Sequence, residues 1–273
     1  MQAVWRGSRF LGLAALGLSL CGCASFFEQI SRRDIPVAQR FSEYWSKPDP
    51  LVVLRDSKDG DLRAQALRSL KEPKQNGGGD KDQEAILAIL TAAATSESQP
   101  LCRAAAVHSL GEFKDPRAVP VLIDAYYKAA TFAPETASVV QCEALTALGK
   151  TKDPAAVELL TRVVRAPSPA FDVPEADKQQ EQDRRTAAAR ALGNFSHYQA
   201  TEALLYVLKN ERDAGLRCRA GEALAKATGK DLGDDAAAWD RVLNEHAYDG
   251  PVKPPHAKEQ SKLNLVGWFS KEE

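Results

Sequence analysis

RAQALRSLK (63–71), RAAAVHSLG (103–111), QCEALTALG (141–149), RTAAARALG (185–193) and RCRAGEALA (217–225) are one phrase written five times. Its anchoring leucines are Leu70, Leu110, Leu148, Leu192 and Leu224, separated by 40, 38, 44 and 32 residues. Seven residues before each leucine stands Arg, except at Gln141. Self-similarity at such a period marks a stack of small units, none able to bury its apolar face alone. Each Ala-rich phrase predicts the start of a helix that stops at a Gly or Lys. After the second and third phrases come Asp115-Pro116 and Asp153-Pro154, where Asp caps a new helix and Pro takes its first position. The helices so opened read AVPVLIDAYYKAA (118–130) and AAVELLTRVVRA (155–166), and ATEALLYVLKN (200–210) follows the fourth phrase. Apolar residues recur in them at steps of three and four, and no stretch alternates as a strand does. The expected fold is all-α: a right-handed α-solenoid of about five helix pairs with capping helices.

This arrangement of helix, Asp-Pro and helix resembles the HEAT repeat in its short, PBS-lyase-like bacterial form, over residues 49–245. The resemblance implies that the RxxAxxxLG helix of each pair lines a concave face. It also implies that the repeated Arg ties neighbouring repeats together through an acid before the helix, here Asp59, Glu97, Glu135, Glu181 or Asp213. Gln141 interrupts that series. Asn76-Gly77-Gly78-Gly79-Asp80 reads as a flexible turn, and residues 167–184 as an insertion whose Pro-rich half is loop and whose Glu/Gln/Asp half either starts a helix early or forms a solvated charged loop. ATGKDLGDDAAAW (227–239) is similar to the terminal cap of exported bacterial HEAT proteins. The expected division is a signal peptide (1–22), a tether and capping helix (23–47), the solenoid (48–248), and a polar linker with an apolar clip (249–273).

The N-terminus reads as an export signal. Arg6 and Arg9 precede FLGLAALGLSLC (10–21), an uncharged run of 12 residues, too short for a spanning helix. Leu20-Cys21-Gly22-Cys23 resembles the lipobox of bacterial lipoproteins, which implies lipidation at Cys23. The expected address is therefore a bacterial membrane, with the protein lipid-anchored and facing the periplasm or the cell surface. Cys102, Cys142 and Cys218 remain in Ala-rich helices, where Cys acts as a small hydrophobe.

Chemistry is sparse. Among 273 residues, 36 Lys and Arg meet 37 Asp and Glu, a balance that argues against a nucleic-acid partner. HExxH, GxSxG and GxGxxG are absent, and Thr228-Gly229-Lys230-Asp231 is no phosphate loop. The four histidines fall at 108, 197, 246 and 256, without metal-ligand spacing. Neither a catalytic residue nor a cofactor or metal is expected. Positions two and five before the leucines turn towards the concave face, which names Arg68, His108, Glu143, Thr146, Arg190 and Glu222 as binding candidates. Tyr126, Tyr127 and Tyr206 read as core or ridge residues. The function expected is an exported, lipid-anchored, non-catalytic scaffold for a protein or peptide partner. The alternative is a groove-based enzyme or a ligand- or cofactor-binding protein, such as a bilin-lyase-like one.

Overall fold

The computed structural model describes residues 48–170 and 172–244. The signal segment, Cys23, the capping helix expected at 35–47 and the C-terminal linker and clip lie outside the described residues. Eleven α-helices and no strand occur among the described residues. They are α1 (Pro50–Asp56), α2 (Gly60–Ser69), α3 (Asp80–Ser96), α4 (Pro100–Gly111), α5 (Ala118–Lys128), α6 (Pro134–Thr151), α7 (Ala156–Val164), α8 (Glu175–Leu192), α9 (Tyr198–Asn210), α10 (Ala214–Thr228) and α11 (Ala236–Asn244). The five phrases lie on α2, α4, α6, α8 and α10, which pack side by side as a phrase row. Between them α3, α5, α7, α9 and α11 form a spacer row. The fold is thus an all-α solenoid.

Beside a small second cluster of Ala104, Ala129 and Val140, a continuous apolar core runs between the rows. Leu110, Leu148, Leu192 and Leu224 are fully enclosed in it, and Leu70 is buried at its first layer. From the spacer row, Leu90, Leu122, Leu160 and Leu204 enter the same core. Each such burial is worth roughly 1.5–3 kcal/mol. At the far end Trp239 of α11 is completely enclosed, and its indole N–H donates to the Gly233 carbonyl at 2.9 Å.

The phrases do not begin their helices; three residues of α2, α4 and α10, seven of α6 and ten of α8 precede them. The starts lie upstream, where Pro100 and Pro134 sit in the first turn of α4 and α6. Asp59 and Asp213 cap α2 and α10 by accepting backbone N–H groups. Asp115 and Asp153 shape a turn before α5 and α7, accepting the N–H of Arg117 at 3.0 Å and of Ala155 at 2.9 Å. Of the two readings of the insertion's charged half, the early helix is the one found, not the solvated loop. It is the first half of α8, opened after Pro174 with Glu175 and Asp177 in the first turn, where acids suit the helix dipole. Gln179 to Asp183 at 2.9 Å and Lys178 with Glu175 at 3.7 Å add short-range support. Between α2 and α3, the expected turn is a 3-10 helix (Pro73–Asn76) closed by Gly77 in the left-handed region, at φ 85°.

Two of the phrase-ending glycines close their helices as expected, Gly111 as the last residue of α4 and Gly193 as the cap of α8 in a right-handed conformation, while Gly149 lies inside α6; all three also have a packing cause. A Cβ at Gly149 would stand 2.8 Å from Cα and Cβ of Ala191, and one at Gly111 would stand 2.8 Å from Cα of Ala147. Gly193 meets Ala223 in the same way, at 3.0 Å. Gly on one helix and Ala on the next therefore set how closely successive phrase helices approach. Left-handed backbone closes α6 at Lys152, φ 56°, and α10 at Gly229, φ 73°.

The repeated Arg does bridge neighbours, through other groups than those expected. Arg63 donates to the Leu54 carbonyl at 2.8 Å and forward to Glu97 at 2.7 Å. Arg103 donates to the carbonyls of Glu97 at 2.6 Å and Lys128 at 3.0 Å, and lies over the Phe132 ring. Arg185 pairs with Glu211, each side chain at most 5% exposed. Arg217 donates to the Glu211 carbonyl at 3.2 Å. Of the acids expected, only Glu97 serves the series. Asp59 and Asp213 are helix caps, and Glu181 pairs with Arg184 rather than Arg185. Gln141 stays in the series as a neutral member, donating to the Tyr126 carbonyl at 3.4 Å and accepting from Arg184 at 3.3 Å.

Candidate functional site

The solvent side of the phrase row is built by one register. Four residues before the buried leucine and two before it fall on opposite sides of the helix, so a buried leucine every layer leaves an open row every layer. Arg68 on α2, Thr146 on α6, Arg190 on α8 and Glu222 on α10 are exposed. His108 on α4 and Glu143 on α6 are half-buried. Sequence reading missed Arg219, which is five before Leu224 and would have followed from the spacing that singles out Glu143. Leu101 on α4 and Val139 on α6, 44% and 63% exposed, add an apolar stretch near the helix starts that no charge pattern could reveal.

Two contacts tie the row across layers. His108 Nδ1 lies 2.8 Å from Glu143 Oε1, joining α4 to α6. Lys150 Nζ donates to Glu112 at 2.7 Å across the same pair, and this hydrogen bond holds the Glu112 carboxyl below its ordinary pKa. Glu222 is met by Arg219 on its own helix at 2.8 Å, which lowers its pKa likewise. Thr146 turns its hydroxyl back to the Cys142 carbonyl at 2.9 Å. Arg68 and Arg190 make no hydrogen bond or ion pair among the described residues.

These side chains divide between two grooves. One, of about 450 Å³, lies between α6 and α8 and is lined by Val139, Cys142, Glu143, Thr146, Asp183 and Arg190. The other, of about 310 Å³, lies between the C-terminal ends of α2 and α4 and includes Arg68 and His108. Glu222 belongs to neither. The candidates thus form a run of local sites along five helices rather than one convergent centre.

The cysteines differ from the uniform core expected of them. Cys102 is buried, Cys142 is half-buried on the α6–α8 groove, and Cys218 is exposed. Cys218 sits on α10, the last phrase helix, with no following one to cover the position that α6 hides at Ala104 of α4. Burial pushes the Cys142 thiol above its ordinary pKa, which keeps it protonated and a poor nucleophile. Among the described residues no group of three or more His, Cys, Asp or Glu is arranged to hold a metal ion. No helix among them is long and apolar enough to cross a membrane.

On the spacer row Tyr127 and Tyr206 are exposed ridge residues. Tyr127 accepts from Arg162 at 2.8 Å, and Arg165 lies 5.2 Å from the Tyr206 ring centre while pairing with Glu202 at 2.8 Å. These contacts pair part of the ridge, while Thr161 Oγ1 and Arg165 Nε are buried there without a hydrogen bond among the described residues. Compared with known proteins, no curated protein matches the chain. Residues 48–133 match the family model for HEAT repeats, and residues 140–165 match the model for a PBS lyase HEAT-like repeat.

Proposed function

We propose that the protein is a non-catalytic scaffold that binds an extended protein or peptide along its phrase row. HEAT repeats generally serve as protein-interaction scaffolds, and two stretches of this chain match them. The observation that carries the reading is the distribution of the open row. Arg68, His108, Glu143, Thr146, Arg190 and Glu222 are spread over five stacked helices, so a ligand touching them all must be long. A rigid stack presents such a surface at little ordering cost. The scaffold is further proposed to be exported and held at a bacterial membrane by lipid on Cys23. The support is the sequence alone: basic Arg6 and Arg9, the apolar run 10–21, and Leu20-Cys21-Gly22-Cys23.

Capture from native membranes with the anchor intact tests the binding reading. Single substitutions in the row should weaken partner capture by about 0.5–2 kcal/mol each, without abolishing it. Loss of an activity through one substitution at His108, with fold and binding intact, would contradict it.

A further inference from the structure

The groove between the ends of α2 and α4 has an uneven inventory of polar groups. Arg68, Lys71, Glu72, Gln75, Asn76, His108, Ser109 and Glu112 line it. Both acids are committed elsewhere. Glu72 accepts from Gln83 Nε2 at 3.1 Å with one oxygen and from the Lys114 N–H at 2.7 Å with the other. Glu112 accepts from Lys150 at 2.7 Å. Two further groups are also engaged: the Ser109 hydroxyl donates to the Leu67 carbonyl at 2.8 Å, and the Asn76 amide donates to the Glu72 carbonyl at 2.8 Å.

The charged groups that remain open are two cations. The guanidinium of Arg68, the ammonium of Lys71 and the side-chain amide of Gln75 make no hydrogen bond or ion pair among the described residues. His108 gives its Nδ1–H to Glu143, so in the neutral ring Nε2 carries a lone pair and adds no donor to the groove. Two open cations, beside a Glu72 whose two oxygens are taken and a Glu112 drawn off by Lys150, make a site for negative charge. A cavity of about 310 Å³ holds the end of a side chain, not a large ligand. We propose that this groove receives carboxylates of an acidic peptide segment, so that the first two repeats recognise negatively charged side chains of the partner. This rests on the scaffold reading above, and names the chemistry of one part of what is bound.

Fluorescence anisotropy of the full chain with labelled deca-glutamate, and with deca-glutamine of equal length, tests it. Deca-glutamate should bind, more weakly as salt is added, and deca-glutamine should not. Arg68→Ala with Lys71→Ala should weaken deca-glutamate binding by about tenfold, since charge-assisted bonds are the strong ones. Arg212→Ala with Lys226→Ala removes the same charge from the far repeats and should change binding less than about twofold. Both pairs are exposed and should melt as the parent does. Equal losses in the two double variants, or none in the first, would overturn the assignment. So would displacement of the peptide by inorganic phosphate at an ionic strength where sodium chloride does not displace it, because the site would then serve a free anion. If deca-glutamate does not bind while the captured partner still depends on Thr146 and Glu222, this inference fails and the scaffold reading stands.

Discussion

Burying the Arg185–Glu211 pair takes both charges out of water, and only their mutual contact and added hydrogen bonds make this tolerable. Glu211 has those bonds, accepting the N–H of Arg212 at 2.7 Å and of Asp213 at 2.9 Å. Burial alone would raise its pKa. The Asp213 N–H, the Arg185 guanidinium and the Arg212 N–H outweigh it, and the carboxyl titrates below its ordinary value. Its contribution is therefore complete above the unfolded pKa of about 4.3 and is lost as pH falls through the lower folded value. Glu211→Gln should cost about 3–5 kcal/mol at pH 7, because it strands a buried guanidinium. Urea melts should show that difference shrinking towards pH 3, and an unchanged difference would refute the pairing as its cause. Leu148→Ala, at the fully enclosed middle of the stack, should cost roughly 2–5 kcal/mol. Lys152→Ala, exposed at the end of α6, should stay within about 0.5 kcal/mol. The leucines and the Arg at minus seven were legible because a phrase repeated five times fixes their register. Glu211 was not, since it stands two residues before the capping Asp213 and nothing local separates a cap from an ion-pair partner.

At the scale of the helices, Gly149 separates two explanations with opposite signs. As an ordinary residue within an exposed helix, Gly→Ala should stabilise by up to about 1 kcal/mol. Here a Cβ would reach within 2.8 Å of backbone on α8, and backbone cannot step aside as a side-chain end can. Gly149→Ala should therefore destabilise, by about 1–3 kcal/mol, as overpacking does. Thermal melts that show a gain would mean that the glycine merely ends a helix. The sequence makes that reading natural, because a Gly after a helical phrase usually marks a stop. Distinguishing a stop from a close approach requires knowing what faces the position on the next helix. The start of α8 was legible only as one of two readings. Charged and polar residues from Glu175 to Arg184 carry no apolar period, and helix is favoured there by Pro174, the first-turn acids and the continuation into RTAAARALG.

For the molecule as a whole, a stack of repeated pairs divides its two surfaces unequally. On the spacer row Arg162 meets Tyr127 and Arg165 meets Glu202 and the Tyr206 ring, though Arg165 Nε is buried without a hydrogen bond among the described residues. The phrase row leaves Arg68 and Arg190 without a hydrogen bond or ion pair among the described residues, and Leu101 and Val139 in solvent. Repeat spacing made the row's residue list legible, while the grouping of its members into two grooves depends on helix-to-helix distances that spacing does not carry. The proposed anchor is tested apart from the stack. Cys23→Ser should release the protein from membranes or leave it unprocessed, as fractionation and fatty-acid labelling would show. A soluble, unlabelled wild-type chain would refute the anchor and leave the fold untouched.

The binding surface itself is most directly tested by photo-crosslinking from single positions in the full chain, produced in its native cells. A benzoyl-phenylalanine at Thr146 or Glu222 probes the phrase row, and one at Glu158 or Tyr206 probes the spacer row. The scaffold account predicts that Thr146 and Glu222, two repeats apart, capture the same partner while Glu158 and Tyr206 capture none. Capture of that partner from Glu158 or Tyr206, with Thr146 and Glu222 silent, would contradict it.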